Sequence, residues 1–264
     1  MNAAGKSAEL ARSLGLTDDV PSCSNNSPKS GEGLFDFKPV SCSEVREVLT
    51  VMPSNKAPGY DRIPLFVIKD CPPYILPTLS RLINSSFACS EFPRAWKKSV
   101  IVPHLKDERH EVPNNNQPIS LLPVHSKVAE KIALIQFNDF LTKKDKLTQH
   151  QGGNPKNHST ETLSLLVTDH IFRAIDRQQL TAMVLIDLSK AFDSICHSTL
   201  LRKLRSLGTS SQALKWFESY LTDHKQSTRL GTSLSDELTI THGVFQCSRA
   251  TPIPEEQARC DQNF

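Results

Sequence analysis

The sequence has no stretch approaching the roughly 18 consecutive apolar residues of a membrane span, and its opening residues, MNAAGKSAELARSLGL, lack the unbroken apolar core of a signal peptide. An intracellular protein, cytoplasmic or nuclear and with no membrane partner, is the expectation. Zinc-type spacing is also missing. Cys23, Cys42, Cys71, Cys89, Cys196, Cys247 and Cys260 stand far apart, with no C-x-x-C pair and no nearby Cys/His grouping. That argues against a zinc module and leaves reduced thiols as the default. Charge of one sign is scarcely in excess: 31 Lys and Arg against 28 Asp and Glu give a net +3. Such a balance permits a polyanionic partner without demanding one. The chain of 264 residues is long enough for a hydrophobic core. Its apolar fraction of 38% is slightly low for that size, so some of the length is expected to be loop or loose terminus.

Residues 17–40 are rich in Ser, Asn, Pro and Gly and show no apolar period, so residues 1–34 read as disordered or linker-like and order is expected from about Phe35. Ser41 and Glu44 have capping-box spacing ahead of Val45, Val48, Leu49 and Met52, which predicts a short amphipathic helix ended by Pro53. Leu76, Leu79 and Ile83 predict a helix from Tyr74 to about Ala88. Val100-Ile101-Val102 reads as a strand cut off by Pro103. A helix from Ser126 to about Lys143 should turn Val128, Ile132 and Ile135 inward. The cleanest helical period follows Ser159, with Leu163, Leu166, Val167, His170, Ile171 and Ala174 on one stripe, His170 being expected at the core edge. Leu180 to Leu188 is a continuous apolar run that predicts a buried central strand. Helices at about Ser198–Leu207 and Ser211–Leu221 follow, with Gly208 placed to close the first. Helices around a buried strand imply an α/β or α+β domain.

An aspartate directly after an apolar strand, as in Val184-Leu185-Ile186-Asp187, is a common place for a metal-binding or catalytic group, because strand ends are rigid and open into a crevice. Capping of the following turn is the plainer role for one such residue. The longer string Leu185-Ile186-Asp187-Leu188-Ser189-Lys190-Ala191-Phe192-Asp193-Ser194 resembles the first catalytic motif of reverse transcriptases, in the version found in LINE-type (non-LTR) elements related to the jockey group. Further boxes carry the same resemblance in family order. Asn55-Lys56-Ala57-Pro58-Gly59-Tyr60-Asp61-Arg62-Ile63-Pro64 is similar to NKAPGxDxIP, and Phe92-Pro93 with Trp96-Lys97 to FPxxWK. Pro118-Ile119-Ser120-Leu121-Leu122-Pro123 with Ser126-Lys127-Val128 is similar to RPISLLPxxSKV. Lys156 to Thr162 and Ala213-Leu214-Lys215-Trp216-Phe217 through Tyr220-Leu221 match two more.

The resemblance implies an α+β fold: fingers and a partial palm of a right-hand polymerase, with an incomplete sheet. Residues 35–179 would be the helix-rich fingers, 180–250 the partial palm, and 251–264 an unrelated or frayed tail. It implies nucleotidyl transfer onto a DNA primer along an RNA template, with Mg²⁺ as cofactor. Asp187 would be the catalytic metal carboxylate and the Leu188 carbonyl would face a second ion. Phe192 would be the ring beneath the sugar that excludes a 2′-hydroxyl. Ala191 and Gln246 would also line the nucleotide, whereas Asp193 would be structural.

Several positions depart from the family pattern. No Tyr-x-Asp-Asp occurs in the sequence, so the chain is expected to be a truncated copy with an incomplete metal site, lacking the thumb, and inactive by itself. Gln117 stands where the family has a phosphate-pairing arginine. Gln151-Gly152-Gly153-Asn154-Pro155 replaces Gln-Phe-Gly-Phe-Arg, and Gly243-Val244-Phe245-Gln246-Cys247 replaces Gly-Val-Pro-Gln-Gly. Lys97, Lys98 and Lys106, with Lys127, Lys131, Lys143, Lys144 and Lys146, suggest a basic face for weak, sequence-independent nucleic-acid binding. A solvated face with Glu130, Asp139 and Asp145 interleaved is the alternative. Trp96 and Trp216 are expected in the core rather than stacked on bases.

Overall fold

The computed structural model describes residues 33–70, 72–105, 116–146, 159–185 and 195–244. Helices α1 (Cys42–Val51), α2 (Leu65–Asp70) and α3 (Pro72–Cys89) lead through a 3-10 turn at Arg94–Lys97 into strand β1 (Lys98–Leu105). Strand β2 (Asn116–Leu121), helix α4 (Val124–Lys143) and helix α5 (Thr160–Asp176) follow. Helices α6 (His197–Ser206) and α7 (Ser211–Leu221) then precede strands β3 (His224–Leu230), β4 (Ser233–Leu234) and β5 (Leu238–Ile240).

These five strands form one mixed sheet. β1 pairs antiparallel with β2, Val100 opposite Leu121, and parallel with β3, Lys98 opposite Lys225. The far edge of β3 carries β5 at His224–Gln226 and β4 at Arg229–Leu230, both antiparallel. The fold is therefore α+β. β1 continues through Pro103 rather than ending before it, with Pro103 opposite Pro118. A non-hydrogen-bonded pair asks no N–H of either residue, and β3 reaches only as far as Ile101, so no ladder bond is lost there.

Local signals account for much of the helical framework. The Ser41–Glu44 capping box is formed, with the Glu44 N–H donating to Ser41 Oγ at 3.3 Å and the Ser41 N–H to Glu44 Oε2 at 2.7 Å. Val45, Val48 and Leu49 are buried below it. Gly208 adopts φ +95°, a conformation that glycine takes without penalty. Its carbonyl accepts from the Phe35 N–H at 2.8 Å, and the Phe35 carbonyl accepts from the Ser210 N–H at 2.8 Å. The entering chain is thus bound to the turn between α6 and α7.

The core lies where α1, α3, α4 and α7 meet the Phe35–Val40 segment, and it is unusually aromatic. Phe37 stacks on Phe87 with centroids 4.2 Å apart, and Trp216 meets Phe92 edge-on at 5.5 Å, the offset and edge geometries that ring quadrupoles favour. The indole of Trp216 is fully buried and donates to Ser86 Oγ at 2.9 Å; Trp96 is also core.

Four expectations are corrected. Among the described residues, 180–185 form no strand, and Leu180, Met183, Val184 and Leu185 are exposed. A continuous apolar run becomes a buried strand only when neighbours cover its edges and faces, and no described strand pairs with it. The stripe of α5 is likewise uncovered, with Leu166, Val167 and His170 exposed, so His170 is not at a core edge. Ile135 is half exposed. The first turns of α4 are buried on nearly every side, and further along the core-facing surface rotates to Phe137, Phe140 and Leu141, leaving Ile135 outside. Glu130 does not belong to a solvated face: it is fully buried and accepts from Ser126 Oγ at 3.0 Å.

Candidate functional site

Asp187, Leu188, Ala191, Phe192 and Gln246 lie outside the described residues, as do Lys106, Gln151–Pro155 and Cys247. Their immediate flanks are described, and these are joined. The Gly243 N–H donates to the Ile195 carbonyl at 2.9 Å, and His197 Nε2 donates to the Gly243 carbonyl at 2.7 Å. Ile195 leaves the string that contains Asp187 and Phe192, and Gly243 opens the segment that contains Gln246. Two segments about fifty residues apart in sequence are therefore fastened to each other, at Ile195 and Gly243, each three positions along the sequence from a candidate nucleotide residue, Phe192 and Gln246.

Beside Gly243 is a cavity of about 200 Å³, bounded by Pro118 and Ser120 of β2, Tyr220 of α7, His224 of β3, Ile240 of β5 and Val244. One lining residue, His224, and one buried residue outside the lining, Lys97, are costly to charge. His224 is buried and donates from Nε2 to the Tyr220 carbonyl; burial pushes its pKa down to about 4, so the ring is neutral at physiological pH. Lys97 is buried too, and desolvation lowers its pKa against the opposing pull of Asp223 and Glu91. Its Nζ donates to Ser219 Oγ at 3.4 Å, and the same oxygen accepts from the Phe92 N–H at 2.9 Å.

The Asn55–Pro64 box packs against the end of β2. Gly59 lies so close to the backbone of Leu122 and Pro123 that a Cβ built on it would be 2.4 Å from the Pro123 nitrogen. Tyr60 donates its hydroxyl to the Ala95 carbonyl at 2.9 Å, and Asp61 Oδ1 accepts from the Ile63 N–H at 3.3 Å. The other Asp61 oxygen is buried, 3.8 Å from His125 Nδ1, and the His125 ring lies 5.5 Å from Trp96. Burial lowers the His125 pKa while Asp61 opposes the shift. Three separate boxes, Asn55–Pro64, Phe92–Lys97 and Pro118–Val128, thus converge at the start of α4 and hold β2, the strand that carries Gln117.

Three lysines of the basic face expected around β1 and α4 are withdrawn or neutralised, while Lys144 and Lys146 are exposed. Lys97 is buried, Lys98 pairs with Glu237 at 2.7 Å, and Lys143 pairs with Asp139 at 2.7 Å. Among the described residues no group of three or more His, Cys, Asp or Glu side chains is arranged to hold a metal ion. The helix-forming period around Ile195–His197 gave no sign of its bond to Gly243, a contact between distant segments that only the folded chain reveals.

A profile of the family described as "Reverse transcriptase (RNA-dependent DNA polymerase)" matches residues 103–253, more than half of the chain. The chain is 30% identical over 218 residues to the probable RNA-directed DNA polymerase from transposon BS of Drosophila melanogaster, covering 82% of this chain and 24% of that protein. It is 27% identical to the corresponding protein of the Drosophila melanogaster X-element, over 81% of this chain and 24% of the relative. Identity to the RNA-directed DNA polymerase from the mobile element jockey of Drosophila melanogaster is 30%, over 64% of this chain and 18% of that one. The chain spans a quarter or less of the length of these curated relatives. No helix among the described residues is long and apolar enough to cross a membrane.

Proposed function

Because the chain belongs to the reverse transcriptase family and is related to the polymerases of jockey-type non-LTR retrotransposons, we propose that it forms the fingers and first part of the palm of an RNA-directed DNA polymerase. Residues 35–179 take the fingers role and 180–250 the palm role, on an RNA template and a DNA primer. The observation that supports this most is the fastening of Ile195 and His197 to Gly243, which ties the flanks of the two nucleotide-binding segments together.

In this reading the Asp187 carboxylate and the Leu188 carbonyl would hold Mg²⁺. These donors fit in kind, being hard oxygens, and fall short in number, since Mg²⁺ takes about six. When bound, the ion would neutralise charge on the phosphate oxygens and on the attacking hydroxyl. Phe192 blocks the space of a 2′-hydroxyl, Ala191 leaves room for the nucleotide beside it, and Gln246 contacts that nucleotide. A carboxylate pair of the Tyr-x-Asp-Asp type does not occur in these 264 residues, so this polypeptide alone does not extend a primer. A non-catalytic nucleic-acid-binding role is the second reading, favoured by Gln117, a neutral amide where a phosphate-pairing arginine is the family's residue.

The test is a chimera in which a related element's Gly-Val-Pro-Gln-Gly segment, Tyr-x-Asp-Asp hairpin and thumb follow Thr241, with Gln117→Arg and Pro155→Arg restored. Phe192→Val in an active chimera should preserve deoxynucleotide incorporation and admit ribonucleotides, because the smaller side chain opens the 2′ position. Unchanged sugar discrimination would remove Phe192 from that role.

A further inference from the structure

Gly243 is held at both of its polar groups, and the two holds ask different things of the sequence. Its N–H donates to the Ile195 carbonyl at 2.9 Å, a backbone bond that any residue at position 195 could supply. Its carbonyl accepts from His197 Nε2 at 2.7 Å, and that bond needs a side-chain donor of the right reach. A carbonyl only accepts, so the imidazole carries a proton on Nε2. The N–H belongs to the peptide that enters Gly243 and the carbonyl to the peptide that leaves it. Together the two bonds orient the chain on both sides of a residue at φ +82°, a conformation that glycine takes without penalty.

The donor stands on a fixed base. His197 is half-buried and is the first residue of α6, a helix anchored in the core by Leu200, Leu201 and Leu204. On the receiving side, Val244 packs against the same core. Gln246 follows two positions later. The direction in which the chain leaves Gly243 toward Gln246 is thus set by one backbone bond, one imidazole and one apolar contact, and the imidazole is the part that depends on a polar side chain.

We infer that His197 is a positioning residue for the nucleotide, acting through the Gly243 carbonyl to set where segment 243–246 presents Gln246. The inference rests on the polymerase reading, in which Gln246 contacts the nucleotide, and adds to it a residue that itself touches no substrate. A histidine that only closed a loop would affect stability alone. One that positions Gln246 affects nucleotide binding only while Gln246 is there to be positioned, and this difference is measurable as non-additivity between two substitutions.

The experiment measures equilibrium binding of dATP, with Mg²⁺ present, to the full 264-residue chain. It reads binding rather than primer extension, which this polypeptide alone does not perform. His197→Leu, which keeps bulk and removes the donor, should weaken binding about three- to tenfold. His197→Gln, whose amide N–H₂ restores a donor, should recover it to within about twofold of the parent. Gln246→Ala should weaken binding by a similar factor, and the double variant His197→Leu/Gln246→Ala should be no weaker than Gln246→Ala alone, within about twofold. Every variant is first required to show a cooperative thermal transition; should His197→Leu not fold, the same cycle is run with His197→Ala. Wild-type chain that binds no dATP, or binding indifferent to Gln246→Ala, would overturn the nucleotide reading and this inference with it. Undiminished binding without the His197 donor, a double variant showing the product of the two single losses, or a glutamine variant as weak as leucine would overturn this inference alone.

Discussion

Replacing Gly59 with alanine would place a methyl carbon 2.4 Å from the Pro123 nitrogen, 2.6 Å from the Leu122 carbonyl carbon and 2.8 Å from the Pro123 Cα. All three are backbone atoms, so no side chain can rotate away. Ordinary van der Waals contact begins at 3.4 Å, which requires the two segments to separate by about 1 Å, the difference between 3.4 and 2.4. Overpacking of this sort costs about 1–3 kcal/mol. Separation would also stretch the Tyr60 hydroxyl bond to Ala95, worth about 1 kcal/mol. Against this, alanine lowers the entropy of the unfolded chain by about 0.4–1 kcal/mol. A net loss of about 1–3.5 kcal/mol remains, which lowers the midpoint of a domain this size by about 2–14 °C. Thermal and urea unfolding followed by circular dichroism would measure it. Gly231→Ala is the comparison: open space surrounds that position, and its φ of +58° limits the cost to about 1–2 kcal/mol of local strain. A Gly59→Ala protein as stable as the parent would refute the close-approach argument.

Acid should destabilise the protein through His224. Its pKa is about 4 in the folded chain against an ordinary 6.5, so between those values the unfolded state binds the extra proton, and stability falls as pH drops from about 6.5 to 4. The loss approaches roughly 3 kcal/mol. His125, shifted the same way by burial, adds to it. Urea unfolding across that range should show a shallower pH dependence in His224→Gln than in the parent. His197→Ala should cost about 1 kcal/mol and accelerate hydrogen exchange at the Gly243 amide; unchanged exchange there would mean that the bond does not hold the segment. Ser41→Ala, which removes the hydroxyl that accepts from the Glu44 N–H and leaves the residue-41 N–H bonded to the Glu44 carboxylate, should cost about 1 kcal/mol by the same unfolding assay.

What the sequence disclosed, and what it withheld, follows the range of the forces involved. Ser41 with Glu44, the buried side of α1, and Gly208 closing α6 are local patterns that need only a few neighbouring residues, and they fold as read. The aromatic core was anticipated at Trp96 and Trp216, yet their partners come from the other end of the domain. The runs at Leu163–Ala174 and Leu180–Leu185 carry the periods of buried elements, and burial also demands a covering element, which periodicity cannot report. Glu130 and Lys97 looked like solvent-facing charges because they are interspersed with other charged residues, whereas their surroundings are set by the folded chain. Gly59 stood out only through a motif; the backbone it abuts, at Leu122 and Pro123, is some sixty residues away. At the candidate site the Asp187 string was recognisable by resemblance. The bonds from Ile195 and His197 to Gly243 were not, because neither residue type nor spacing marks a contact across fifty residues.

The central claim is that Asp187 is the metal-binding carboxylate of a polymerase palm. The direct measurement is Mg²⁺-dependent primer extension on RNA by the active chimera described above, with and without Asp187→Asn, after both proteins have shown the same cooperative thermal transition. The amide keeps the shape of the side chain and removes the charge that a divalent ion needs, so extension should disappear while folding is unchanged. Extension that continues undiminished in Asp187→Asn would contradict the assignment.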